Sequence, residues 1–231
     1  MILGQTNRKR PYMNLKLDGN VTDTGTGGNT PSNTGVTFTT DQFGRANMAG
    51  NWDVDTDNLS WASSVGNTVS SKINNGSTVL YWVKQRTLSI DTQSFIFHQN
   101  DNAGERAFLI QNLNYPAFNI NGVQLYNSIN GTDGATFNVP NLLSYGNWQF
   151  CCVKYIDNTT DLTAIVNMDS NSGSGNVSKV WESNTVELRL GARLSIGRGD
   201  FGDMSNFRFY DVTLTDGQIK ILNNQKGRIK A

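Results

Sequence analysis

The sequence predicts an all-β fold: a single-domain antiparallel β-sandwich with one short C-terminal helix. Three observations carry this. First, Asn (30), Thr (22) and Ser (18) make up about 30% of the 231 residues, with 23 Gly beside them. Asn and Gly tolerate positive φ and suit turns, whereas Thr suits strands. Second, charged residues are only 16% of the chain, low for helices whose exposed faces carry Glu and Lys. Third, apolar runs of strand length recur at short intervals with turn residues between them.

The strands are expected in this order. Residues 12–17 alternate apolar and polar, and a turn-rich stretch from Asp18 to Gly35 follows. Val36 to Phe43 alternates again. Ser77 to Lys84 contains the run Val79-Leu-Tyr-Trp-Val83 and reads as a central strand, because strands buried on both faces lose their alternation. Phe95–Phe97, Ala107–Ile110 and Ala117–Ile120 come next, and Asn119-Ile-Asn-Gly122 predicts a hairpin turn into Val123–Tyr126. Trp148–Tyr155 and Thr163–Asn167 form a further pair, joined through Asp157–Asp161. Val186–Leu190, Leu194–Gly197 and Met204–Tyr210 complete the set. At the end, Thr215-Asp-Gly-Gln218 fits a capping box, and the apolar residues Ile219, Ile221 and Leu222 follow it into a helix. No repeat or linker interrupts the chain. The organisation is read as an arm over 1–11, one domain over 12–224 and a basic tail over 225–231.

Charge and rare residues exclude several function classes. Nineteen Lys+Arg balance 19 Asp+Glu, so the basic surplus that neutralises phosphates is missing and nucleic acid is not an expected partner. No apolar run is long enough to span a bilayer. His98 is the only histidine, which leaves no His cluster for a metal and little acid–base chemistry. Two cysteines make neither a disulfide scaffold nor a four-cysteine zinc site. Cys151 and Cys152 are adjacent on a predicted strand, so their side chains face opposite ways, one expected inside and the other free to reach solvent. Free thiols point to folding in a reducing compartment. The opening residues Met1 to Pro11 lack the apolar core of a secretory signal, and the expectation is synthesis without export; a recloned mature chain is the competing reading.

Several stretches, in order, resemble the laminin G-like branch of the concanavalin A-like lectin/glucanase sandwiches. Leu17-Asp-Gly-Asn-Val-Thr-Asp23 and Gly35-Val-Thr-Phe-Thr-Thr-Asp-Gln-Phe-Gly-Arg-Ala46 are similar to its opening pattern. Ser77-Thr-Val-Leu-Tyr-Trp-Val-Lys84 resembles a family strand, as does Gly146-Asn-Trp-Gln-Phe-Cys-Cys-Val-Lys-Tyr-Ile-Asp157. Leu194-Ser-Ile-Gly197 and then Phe201 to Ile219 match the closing strand and helix start. The resemblance spans residues 12–224 and implies a concanavalin A-like jelly roll that adheres to glycans or proteins. The sequence departs from the pattern at Ile165-Val-Asn-Met-Asp169, at Met48-Ala-Gly-Asn-Trp-Asp53, and in an apparent insertion over Asp53–Gly76.

The resemblance also raises catalysis, because glucanase relatives set carboxylates along one strand face. Here the nearest run is Asp53-Val-Asp-Thr-Asp57 without a glutamate, and Glu105, Glu182 and Glu187 are scattered. The expectation is therefore a non-catalytic protein. Asp53, Asp55 and Asp57 are instead candidate calcium ligands, since carboxylates at alternate positions converge when a cation offsets their repulsion; solvated loop carboxylates are the competing reading. Trp82 and Trp148 match family core positions and are expected to be buried. Trp52, Trp61 and Trp181 flank polar loops and are candidate glycan platforms, an apolar ring beside hydrogen-bonding side chains being what a sugar face needs; packing beneath a loop competes with that role. Arg8, Lys9 and Arg10, with Lys226, Arg228 and Lys230 at the other end, make both termini basic and suit docking onto an acidic protein lattice; solvated tails are the alternative. Together these features predict a structural or adhesion protein of a bacteriophage virion (capsid decoration, head fibre or tail component) that contacts other virion proteins, surface glycans or both. A secreted or cell-surface carbohydrate-binding module is the alternative, and a glycoside hydrolase stands behind both.

Overall fold

A computed structural model describes residues 9–86, 92–100, 106–115, 120–127, 136–140, 145–156, 161–166, 169–174, 185–192 and 202–224. Among the described residues, fifteen strands and two helices follow in chain order: β1 (Met13–Leu15), β2 (Ser32–Thr34), β3 (Thr37–Thr39), β4 (Ala49–Trp52), β5 (Asn58–Trp61), α1 (Ser63–Asn74), β6 (Ser77–Gln85), β7 (Thr92–Asn100), β8 (Arg106–Tyr115), β9 (Ile120–Asn127), β10 (Thr136–Pro140), β11 (Trp148–Tyr155), β12 (Asp161–Val166), β13 (Asp169–Ser174), β14 (Leu188–Gly191), β15 (Gly202–Tyr210) and α2 (Asp216–Asn224). The strands form two antiparallel sheets. An eight-stranded sheet runs β13-β12-β11-β6-β15-β4-β3, with β1 also paired to β15, and a seven-stranded sheet runs β10-β9-β8-β7-β14-β5-β2.

The main core lies between the sheets. On β6 the odd residues Val79, Tyr81 and Val83 point into it, meeting Phe97, Phe108, Leu188, Leu190, Phe207 and Phe209. Phe97 packs on Phe207 and Phe108 at ring separations of 4.9 and 5.1 Å, tilted as ring quadrupoles prefer. The even residues of β6 point the other way, onto the outer face. There Leu80, Phe150, Cys152, Ile165 and Tyr210 are covered by Leu214 and Ile219 in a second core, with Trp82 and Leu222 at its margin. This accounts for the unbroken apolar run of β6, which lies between β11 and β15 and is packed on both faces.

The second core corrects the expectation for the thiols. Cys151 and Cys152 do face opposite ways, but both are free and buried, at 2% and 1% exposure. Cys151 joins the main core and Cys152 the outer one. Burial drives both thiols up, Cys151 to about 12, because a thiolate loses its hydration in an apolar site.

Helix α2 begins as its capping box predicts. The Thr215 backbone N–H donates to Gln218 Oε1 at 2.9 Å, and Gln218 N–H donates to Thr215 Oγ1 at 3.3 Å. Helix α1 was not expected: Asp53–Gly76 holds β5 and the helix that crosses from one sheet to the other. The α1 segment contains few strong helix formers and its Ala62 cap makes no side-chain hydrogen bond. Packing compensates. Val69 and Ile73, one turn apart, enter the main core, with Val65 packed against it.

The turn expected at Asn119–Gly122 is also corrected. Ile120, Asn121 and Gly122 lie within β9, where Gly122 pairs with Leu113 and Pro140. Strand β13 and strands β2, β4, β5 and β10 complete pairings that polar or short segments concealed. The Leu194–Gly197 strand and residues 117–119 lie outside the described residues. Among the described residues, no helix is long and apolar enough to cross a membrane.

Candidate functional site

On the outer face of the eight-stranded sheet, the part that α2 leaves uncovered forms a shallow groove. Trp82, Phe150, Leu80 and Arg208 make its floor, the turn carrying Gln42, Phe43 and Arg45 makes one wall, and Leu222 and Asn223 at the end of α2 make the other. The strand register brings the floor together. Trp82 pairs with Phe150 on one side and Ser205 on the other. A register shift between Ser205 and Arg208, with Asn206 at φ 53°, then sets Arg208 beside Leu80.

One buried carboxylate builds the wall. Asp41 Oδ1 accepts the backbone N–H groups of Phe43 and Arg45, each at 2.9 Å. Its Oδ2 accepts Arg45 Nε at 2.8 Å and also pairs with Arg45 Nη2. Gly44 occupies φ 77° in this turn, a region open to glycine at little steric cost. Gln42 Oε1 accepts the Ser205 hydroxyl, tying the turn to β15. Held this way, Phe43 is 37% exposed and meets Trp82 edge to face at 6.3 Å, and the Arg45 guanidinium lies 5.1 Å from the Phe43 ring centroid. Trp82 in turn meets Phe150 at 5.5 Å. The result is an aromatic platform ringed by amides and guanidinium groups, and among the described residues no Asp, Glu or His lines it.

The residues singled out from sequence fall elsewhere. Trp52 is fully buried, and its indole N–H donates to Leu190 O at 3.3 Å. Trp61 is 3% exposed and donates to Asn29 O. Both are main-core residues beneath loops, which corrects their assignment as sugar platforms. Trp181 lies outside the described residues. The three aspartates do not converge either. Asp53 and Asp55 face solvent, whereas Asp57 is 1% exposed and turns back on its own loop, accepting Asp53 N–H at 2.9 Å and Val54 N–H at 3.1 Å. Gly35 makes room for that carboxylate, since a Cβ there would lie 2.0 Å from Asp57 Oδ1. The alternating pattern reflects a loop cap, and among the described residues no group of three His, Cys, Asp or Glu could hold a metal ion. Lys9 and Arg10 are exposed, and Arg8 and the C-terminal tail lie outside the described residues. His98 is buried with Nε2 3.1 Å from Gly191 O, a structural placement.

Sequence reasoning missed Trp82, Phe43 and Arg208. The signal for Trp82 was present: Leu80, Trp82 and Lys84 alternate along β6, and Lys84 marks the side that reaches solvent. Family matching had assigned Trp82 and Trp148 to the core, but both are half-buried.

Two sheets face to face around one core, with a non-acidic aromatic groove on one outer face, define a jelly-roll sandwich of the lectin-like class. The chain belongs to the concanavalin A-like lectin/glucanases superfamily, whose laminin G-like family profile matches residues 53–220. No curated protein matches the sequence. Among solved structures, the receptor-binding domain of botulinum neurotoxin C/D mosaic serotype superposes with a TM-score of 0.68 at 14% identity, over 92% of this chain and 50% of that one. This chain thus spans about half the length of the neurotoxin binding domains it matches. Domain 4 of AbnA, an extracellular arabinanase from Geobacillus stearothermophilus, in complex with arabinotriose, gives 0.66 at 16% identity, over 93% and 98%. The Ruminococcus gnavus sialidase carbohydrate-binding module bound to α2,3-sialyllactose gives 0.55 at 12%, over 74% and 95%. These likenesses are of fold.

Proposed function

We propose that this chain is a non-catalytic adhesion module that takes a saccharide in the outer-face groove, and that it serves on the surface of a bacteriophage virion as a capsid decoration, head-fibre or tail component. The observation that carries the binding role is the Trp82–Phe43 platform, which offers ring faces to sugar C–H groups while Gln42, Asn206 and Asn223 supply hydrogen-bonding partners. Among the described residues the groove has no carboxylate, and so no acid or nucleophile of the kind glycoside hydrolysis requires, which favours binding over turnover. Two fold neighbours are complexes with arabinotriose and with sialyllactose, which is in keeping with a saccharide ligand. The virion role is supported by two free, buried cysteines, as suits a chain folded in a reducing cytoplasm before release. The exposed Lys9 and Arg10 would then face an acidic lattice.

A secreted or cell-surface module is the second reading, favoured by the match to nearly the whole of a domain from an extracellular arabinanase. Mass spectrometry of purified virions from the source separates the two, because the virion reading requires the protein there. On a glycan array, saccharide binding by the native chain and its loss in Trp82→Ala is the expected result. Binding untouched by Trp82→Ala would remove the groove from consideration, and hydrolysis of any bound glycan would overturn the non-catalytic reading.

A further inference from the structure

The groove holds two hydrogen-bond donors whose needs the protein leaves unmet. Arg45 is neutralised by Asp41. Arg208 differs: it is half-buried on the groove floor and forms no ion pair among the described residues. Opposite, Gln42 Nε2 is buried with no acceptor, since the other end of its amide is taken up by Ser205. A partly desolvated guanidinium and a desolvated amide N–H both gain from an anionic oxygen acceptor, and a planar fork suits a carboxylate.

We propose that the groove selects a carboxylated saccharide, its ring on the Trp82–Phe43 platform and its carboxylate on Arg208, with Gln42 Nε2 as a second donor. The proposal rests on the saccharide reading above and adds the ligand's charge. The ring is what favours a sugar over an acidic peptide, because the aromatic platform lies beside the donors in the same groove.

The matched probes are oligogalacturonate and its methyl ester, which share every ring and linkage and differ in charge. Titration calorimetry on the full chain is expected to show the free acid bound roughly tenfold or more tightly than the ester, the scale of one charged hydrogen bond. Arg208→Gln is expected to bring the two affinities together, and Gln42→Leu to narrow the gap. Should Arg208→Gln fail to fold, the wild-type chain carries the test alone: in ~1 M salt, where the Debye length is ~3 Å, the acid is expected to lose its advantage while the ester is unaffected. Equal affinities for acid and ester, both lost in Trp82→Ala, would overturn the charge preference and leave the saccharide site standing. Tighter, Arg208-dependent binding of an oligoglutamate peptide would overturn the saccharide assignment. Binding of no saccharide on a broad array would overturn the module reading itself.

Discussion

Cys151 and Cys152 show how burial decides a side chain's chemistry. Each thiol is enclosed, and each is held protonated far above the ordinary cysteine value of ~8.5. The nucleophile is the thiolate, so neither residue is expected to react with an aromatic disulfide reagent at pH 8 until denaturant is added, when both should. A pH dependence follows. The folded chain keeps its proton on Cys151 up to about 12, whereas the unfolded chain gives it up near ~8.5. Stability from the neutral thiol is therefore complete below that lower value and is lost as pH climbs towards the higher one. Denaturant midpoints at neutral and alkaline pH are expected to fall with rising pH, and to fall less steeply in Cys151→Ala. At the same scale, Asp41 and Asp57 are both buried carboxylates that cap the backbone of their own turns, yet only the Asp41 turn faces the groove. Spacing made the aspartates at 53, 55 and 57 conspicuous, but spacing does not report which way a carboxylate turns.

At the scale of elements, the two helices depend on different things. α2 carries its own start signal, and Thr215→Ala should remove about 1 kcal/mol, read as a lower denaturation midpoint. α1 is held from outside. Gln99 on β7 reaches across to it, accepting the Ser70 hydroxyl at 2.7 Å and donating to Asn67 Oδ1 at 3.0 Å and Val186 O at 3.1 Å. Gly66 permits this approach, since a Cβ there would stand 2.5 Å from Gln99 Nε2. Gly66→Ala would gain about 1 kcal/mol of helix propensity. It would also disrupt a buried network, at about 1–3 kcal/mol for each group left unpaired. Net destabilisation is expected in urea titration, and because Gln99→Ala already removes the network, adding Gly66→Ala to it should cost nothing further. These two helices also show what could be read in advance. The Thr215–Gln218 box is local and legible, and so was the β6 run. α1 was hidden because its helicity comes from contacts with residues far along the chain, and the groove was hidden because it joins a turn, three strands and a helix end that no short window contains.

At the scale of the molecule, β15 is the shared neighbour of the eight-stranded sheet. It pairs along one edge with β6, and along the other with β4 through Gly202–Met204 and with β1 through Phe207–Phe209. Without it the sheet is three unconnected parts: β13-β12-β11-β6 on one side, β4 with β3 on the other, and β1 alone. The consequence concerns timing. In a chain synthesised from its N-terminus, β1 must wait for partners nearly two hundred positions away, and the sheet cannot close until one of its last segments is available. Closing such a long loop costs entropy before any pairing repays it, which places sandwiches of this kind among the slower folders. The groove floor, which takes Trp82 from β6 and Arg208 from β15, comes into being only at that final insertion, so acquiring the binding surface and completing the fold are one event.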